Sequence, residues 1–280
     1  MMTKYLAIVG ATVREGFARK TILGFFAVST LLIVLMLLVC MFNGSTLQSL
    51  ATDHVKNGRR GPDPSIAGLT LLEFVWMIIS YVLIFIVVLV GLFVTSSFVT
   101  SIMEKGTIDL LLSKPVPRWW YLTGRYLGGV GIIFVEVLYL VLGLWLAAGL
   151  TLGIWSSAFP TAALFITLIF AGVYAVATLV GVVSRSSWLA VILVIVTYIV
   201  MFLLLPIGRW LDTALNGEPG KFFTTSTKVL RYTLPGSGVG DQMVNALTHN
   251  TVDFGPLLLT TGLTLAYLAI STWVFSKKEF

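Results

Sequence analysis

The reading of this chain turns on the stretch EKGTIDLLLSKPVPRWWYLTGRYLGG, residues 104–129. It is the most polar interior piece of an otherwise greasy sequence. Thr107 stands where a helix N-cap is wanted, and Asp109 falls in the first turn, where a negative charge suits the positive end of the helix dipole. Ile108, Leu111 and Leu112 recur at i, i+3 and i+4 and make one apolar stripe. Lys114 sits near the negative end; Pro115 then stops the helix and pushes Lys114 out of the α region, and Pro117 keeps the exit stiff. The pattern predicts a short, well-bounded helix over residues 107–114, held between two long apolar runs. Its stripe faces no lipid core, so it needs a partner surface. A merely solvated connector with chance caps would not need that stripe between a cap and two prolines.

The rest of the chain supplies the setting. Of 280 residues, 58% are hydrophobic and only 11% charged, against about 45–50% and 25% in a soluble domain. Such a sequence uses lipid as its solvent. A net charge of +6 raises the question of nucleic acid. That reading is rejected, because the basic residues lie between the apolar runs, as expected of membrane loops. The single cysteine, Cys40, lies inside the first run; it excludes an internal disulfide and any cysteine-based metal cluster.

Six apolar runs follow one another: residues 21–42, 74–100, 126–150, 161–183, 188–205 and 254–275. At about 1.5 Å per residue the first is some 33 Å long, enough to cross a bilayer core. It is also too long for a signal-peptide core, and about twenty residues precede it, so it reads as a retained span. The expected fold is therefore all-α: one polytopic membrane domain over residues 1–280 with six transmembrane helices. An even number of spans places both termini on one side. The face formed by the N-terminal segment, the second-to-third connection, the fourth-to-fifth turn and the C-terminus carries Lys4, Arg14, Arg19, Lys20, Lys105, Lys114, Arg118, Arg125, Arg185, Lys277 and Lys278. The opposite face has fewer cations and carries Asp53, Asp63, Asp212, Glu218, Asp241 and Asp253. The first face is expected to be cytoplasmic.

Residues 1–20 read as a separate element. Tyr5, Ile8, Val9, Val13 and Phe17 recur near helical spacing, with Lys4, Arg14, Glu15 and Arg19 elsewhere on the wheel. This predicts an interfacial amphipathic helix on the inner leaflet; a helix packed on its own protein is the alternative. Two longer loops, residues 43–69 and 208–253, are assigned to the extracytoplasmic side. The second holds LPGSG at Leu234–Gly238, with short helices expected on either side, and is read as an outward-facing loop over the mouth of a pathway.

The opening stretch also resembles the signature of type-2 ATP-binding-cassette (ABC) transporter permeases, in which Glu, Gly-Thr, a Leu-rich turn, Ser-x-Pro and Arg are followed by Tyr-Leu-x-Gly-Lys. Glu104, Gly106, Thr107, Leu111, Leu112, Ser113, Pro115, Arg118, Tyr121, Leu122 and Gly124 match, and Arg125 replaces the usual lysine with its charge kept. The order of elements along the whole chain is similar too. The resemblance implies that residues 102–122 are a cytoplasmic coupling segment that docks on a separate nucleotide-binding ATPase subunit. Glu104, Gly106, Thr107, Ile108, Asp109, Leu111, Leu112, Ser113, Pro115 and Arg118 would form the contact. It further implies a second permease copy, identical or not, export rather than import, and the cytoplasmic (inner) membrane of a bacterium or archaeon. ATP and Mg would belong to the partner. The chain itself has no G-x-x-x-x-G-K-[ST], and its only Gly-Lys, Gly220-Lys221, is followed by Phe222. No cofactor, metal, nucleic acid or catalytic role is expected of it.

Two residues inside the third run carry polar chemistry. Glu136 lies near its middle, where a charge costs about 2.5–3.5 kcal/mol on insertion scales; it must be protonated, paired or turned to a polar route, and Tyr139 at i+3 is a candidate partner. Substrate contact or proton coupling is one reading, and a structural hydrogen bond to a neighbouring helix is the other. Two further function classes stay open from residues alone: a stand-alone proton- or ion-coupled carrier using Glu136, and an intramembrane lipid-modifying enzyme. Gly124-x-x-x-Gly128, with Gly131 following, predicts close helix packing.

Overall fold

In a computed structural model of the chain, residues 2–18, 22–38, 41, 85–95, 118–152, 155, 159–200, 221–249 and 251–277 are described. They form helices α1 (Met2–Ala18), α2 (Ile22–Leu38), α3 (Phe85–Thr95), α4 (Arg118–Leu152), α5 (Ala162–Ser184), α6 (Ser187–Ile199), α7 (Lys221–Thr233), α8 (Val239–His249) and α9 (Phe254–Lys277). A 3-10 turn, Phe159–Thr161, leads into α5. No strand occurs among the described residues. Three helical stretches are long and apolar enough to cross a membrane: Trp119–Thr151, Phe159–Ser184 and Phe254–Lys277. The described parts of α2, α3 and α6 are shorter apolar helices.

The bundle is built around α5. Ile166, Ile169, Phe170, Val173, Tyr174 and Ala175 are all enclosed, so this helix is apolar all round, as a central helix must be. α4, α6, α8 and α9 pack against it. On the outside of the bundle the apolar side chains point away from the core: Leu31 and Leu35 of α2, Ile192 and Val196 of α6, and Leu258 and Leu265 of α9 are exposed. That inversion is what a lipid solvent permits.

Contact registers give the helix directions. Ser29 meets Glu136, and Ile33 meets Gly143, so α2 and α4 run the same way. Gly91 faces Phe170, and Thr95 receives the Tyr174 hydroxyl, so α3 runs with α5. α5 returns against α4 and α6 returns against α5. The last reversal takes only Arg185 and Ser186. Arg185 adopts the left-handed conformation (φ 55°, ψ 23°) and its N–H closes on Gly181 O at 2.9 Å. The Ser186 hydroxyl then accepts the Leu189 N–H and caps α6.

α1 lies against α4. Its best-buried described residues are Thr12 and Gly16, not the Ile8, Val9 and Val13 stripe, which is half-buried. A Cβ at Gly128 of α4 would lie 2.7 Å from Thr12 Cβ, and one at Gly16 would lie 2.4 Å from Ile132 Cδ1. The seam is made of small residues, so the two backbones approach closely. An ion pair between Glu15 and Arg125 closes its edge. The packing partner of α1 is thus α4 of its own chain. Of the three glycines singled out in the α4 sequence, Gly128 makes this approach, whereas a Cβ at Gly131 would meet nothing within 4 Å.

Candidate functional site

The predicted coupling residues Glu104, Gly106, Thr107, Ile108, Asp109, Leu111, Leu112, Ser113 and Pro115 lie outside the described residues. What is described is the rod that leaves them. α4 starts at Arg118 and runs for 35 residues, about 52 Å at the α-helical rise. A bilayer core is about 30 Å thick, so the rod is some 20 Å longer than the core. The base of the rod carries Trp119 and Trp120, whose rings meet edge to face at 5.6 Å. Just above it, α1 is clamped to α4 through Arg125 and Gly128. A push on residue 118 therefore reaches α1 and the middle of α4 through continuous helix.

Higher on the same rod, α2 and α4 share a polar contact. The Ser29 hydroxyl donates to Glu136 Oε1 at 2.7 Å. Both residues are enclosed, at 0% and 1% exposure. Glu136 Oε2 has no hydrogen-bond partner among the described residues. Tyr139 does not reach Glu136. Its hydroxyl lies 3.0 Å from Thr30 Oγ1, and its ring tilts against Phe26 at 5.4 Å. Two adjacent α2 residues, Ser29 and Thr30, thus take Glu136 and Tyr139 of α4 one each. The i+3 partner expected on the same helix is replaced by partners across the helix pair.

A third polar feature was not anticipated. The turn Leu234–Gly238, between α7 and α8, does not lie over the bundle; it is buried in it. Ser237 is 2% exposed. Tyr198 of α6 donates to Pro235 O at 2.6 Å. Gly236 N–H donates to Thr260 Oγ1 of α9 at 3.2 Å, and the Ser237 hydroxyl donates to Leu234 O at 2.9 Å. A Cβ at Gly172 of α5 would stand 2.8 Å from Pro235 Cβ. Gly236 (φ 91°) and Gly238 (φ 81°) take the positive φ values such a turn needs. By residue counting, Gly172 lies about 15 Å along α5 from Ala162, and Thr260 about 9 Å along α9 from Phe254. Tyr267, whose hydroxyl donates to Thr233 O at 3.0 Å, is about 20 Å along α9. Both helices place the turn well inside the bundle. α8 climbs back with Val239, Met243 and Ala246 buried, packed on α5 and α9. The Gln242 carboxamide oxygen accepts the Asp253 N–H at 2.8 Å just before α9 begins. Together α7, the buried turn and α8 make a helix–turn–helix hairpin. The signal in the sequence was the alternation of Gly with a Leu-Pro step between two helix-length segments, but nothing local in it says "buried".

Long apolar helices around an interior with isolated polar contacts describe a membrane-embedded protein. The profile described as ABC-2 family transporter protein matches residues 25–280, nearly the whole chain, and the protein belongs to that family of membrane permeases. A comparison with curated proteins finds no match.

Proposed function

We propose that the chain is the membrane-spanning half of an ATP-driven exporter: two copies enclose a pathway, and each docks on a cytoplasmic ATPase through residues 102–122. What supports the reading is the family match across residues 25–280, taken with the capped, proline-ended stripe of Ile108, Leu111 and Leu112 at the foot of the α4 rod. In this reading six spans place both termini in the cytoplasm of a bacterium or archaeon. ATP and Mg are bound by the partner. Closure of the ATPases displaces the coupling helix, and α4 carries the movement past α1 toward the α2 contact. Taking a gate from 1:99 to 99:1 takes about 5.5 kcal/mol, within what ATP binding and hydrolysis deliver.

The test is co-purification with the ATPase encoded alongside the permease. Leu111→Asp with Leu112→Asp is expected to insert normally and to lose the ATPase together with ATP-driven transport. An ATPase that stays bound and active on the doubly substituted permease refutes the docking assignment.

A further inference from the structure

α7 is an unusual helix for its position. Its sequence, KFFTTSTKVLRYT, holds no acid and is crowded with hydroxyls and cations. No described side chain on it is buried. Lys221, Thr225 and Lys228 are exposed, as are Phe222, Val229 and Tyr232, the last at 67%. Yet its C-terminal end is tied to the bundle, by Tyr267 on Thr233 O and by the buried turn that follows. Lys228 is five residues from Thr233, so whatever the tilt of α7 it lies within about 8 Å of that end. Lipid tails cannot satisfy an ammonium there; a lysine at membrane depth costs about 2.5–3.5 kcal/mol on insertion scales. Water beside α7 removes that cost. The exposed apolar residues on α2, α6 and α9 show what a lipid-facing helix of this chain looks like, and α7 is not built that way.

We propose that α7 lines the translocation route beside the buried turn, and that its Lys228 and Lys221 receive an anionic group of the cargo. Charge complementarity carries the choice: cations and hydroxyl donors, with no carboxylate on the helix to neutralise them, hold an anion and repel a cation. Thr225 is placed to add a hydroxyl donor, and Tyr232 a ring against the apolar remainder of an amphiphilic molecule. The assignment rests on the permease reading, but its test does not use the ATPase.

In a Cys40→Ser background, single cysteines are placed at Thr225, Val229 and Tyr232, and as lipid-facing controls at Leu258 and Leu265. The purified permease in phosphatidylcholine vesicles is treated with two membrane-impermeant methanethiosulfonates, one sulfonate-bearing and one trimethylammonium-bearing. Each rate is normalised to that reagent's rate with a free thiol. The α7 cysteines are expected to react and the α9 controls to stay silent. The anionic reagent should be favoured by about fivefold, the Coulomb effect expected of a cation some 7 Å away in an aqueous cleft. Adding Lys228→Gln with Lys221→Gln should bring the ratio close to one. Silence at all three α7 positions, meaning cover by lipid or by a second copy, overturns the proposal, as does labelling without charge preference. Suppression of labelling by phosphatidylglycerol would identify a lipid headgroup as the occupant and overturn the cargo assignment. If the lysine dependence holds but the ATPase binds independently of Leu111 and Leu112, it is the docking reading that falls and not this one.

Discussion

Ser29 and Glu136 show how one polar contact is tolerated among apolar helices. Removing one partner strands the other, whereas replacing both with apolar groups of similar shape is nearly neutral. Ser29→Ala is therefore expected to lower the stability of the purified permease by about 1 kcal/mol, the scale of interhelical hydrogen bonds in membranes. Glu136→Leu combined with Ser29→Ala should recover most of that loss in detergent melting curves. Non-additivity of the two substitutions is the sign that the bond is real. Glu136→Gln keeps an acceptor for Ser29 and is expected to leave ATP-driven transport intact. Its abolition would instead make the carboxyl a participant in moving protons or substrate. The choice between these roles was left open by the sequence for a physical reason. A glutamate in a span announces that something must satisfy it, but the partner sits 107 positions away, and only the side-by-side register of α2 and α4 brings it near. Gly236 carries a second residue-scale prediction. Its φ of 91° is costly for any L side chain, and an added Cβ would lie 3.3 Å from Ile169 Cγ2. Gly236→Ala should cost about 1–3 kcal/mol. Gly10→Ala, in an open position on α1, should be neutral or gain up to about 1 kcal/mol of helix propensity. Melting temperatures of the two variants against the parent decide it.

Among the elements, the α1–α4 seam separates packing from charge. Glu15 and Arg125 are partly exposed, and such an ion pair contributes under about 1 kcal/mol. Overpacking a closely approached backbone costs about 1–3 kcal/mol. Gly128→Leu is therefore expected to release α1 and Glu15→Ala to leave it docked. Limited proteolysis between α1 and α2 reads the difference, and equal sensitivity of the two variants would refute the seam. The α5–α6 turn permits the opposite kind of change. Arg185 bears the left-handed strain of a residue with a Cβ, so Arg185→Gly should raise the melting temperature, by relief of about 1 kcal/mol. The elements also mark how far local pattern reaches. Apolar runs at 126–150, 161–183 and 254–275 fall within α4, within two residues of the bounds of α5, and within α9, because in lipid hydropathy and length decide where a helix can be. α1 was legible as a helix but not in its orientation. Its apolar stripe suggested a lipid surface, while its buried contact is made by Thr12 and Gly16, residues a hydropathy pattern passes over. The hairpin was legible as two helices and a turn. Its burial was not, because it is decided by Tyr198 and Thr260, which belong to other helices.

On the scale of the whole molecule, the described helices pack around α5, which is filled with side chains, so in the proposed assembly the route runs beside α5. A second copy supplies the opposing wall in the proposed assembly. The mass of the complex in detergent is expected to correspond to two permeases and two ATPases. A one-to-one complex retaining ATP-driven transport would refute that arrangement. In the proposed assembly the opening stretch is where the drive enters, and α4, a rod about 20 Å longer than the hydrocarbon is thick, carries a cytoplasmic displacement into the membrane without passing through a loop.

The buried turn between α7 and α8 also dictates an order of events during synthesis. Its chain leaves the ribosome before α9 exists, yet two of the groups that hold it, Thr260 and Tyr267, belong to α9. Until that final helix is made, Gly236 N–H and Thr233 O have nowhere to be satisfied except water. The hairpin must therefore wait near the aqueous surface and settle last. A nascent chain arrested before Phe254 is a bundle with an unfilled slot.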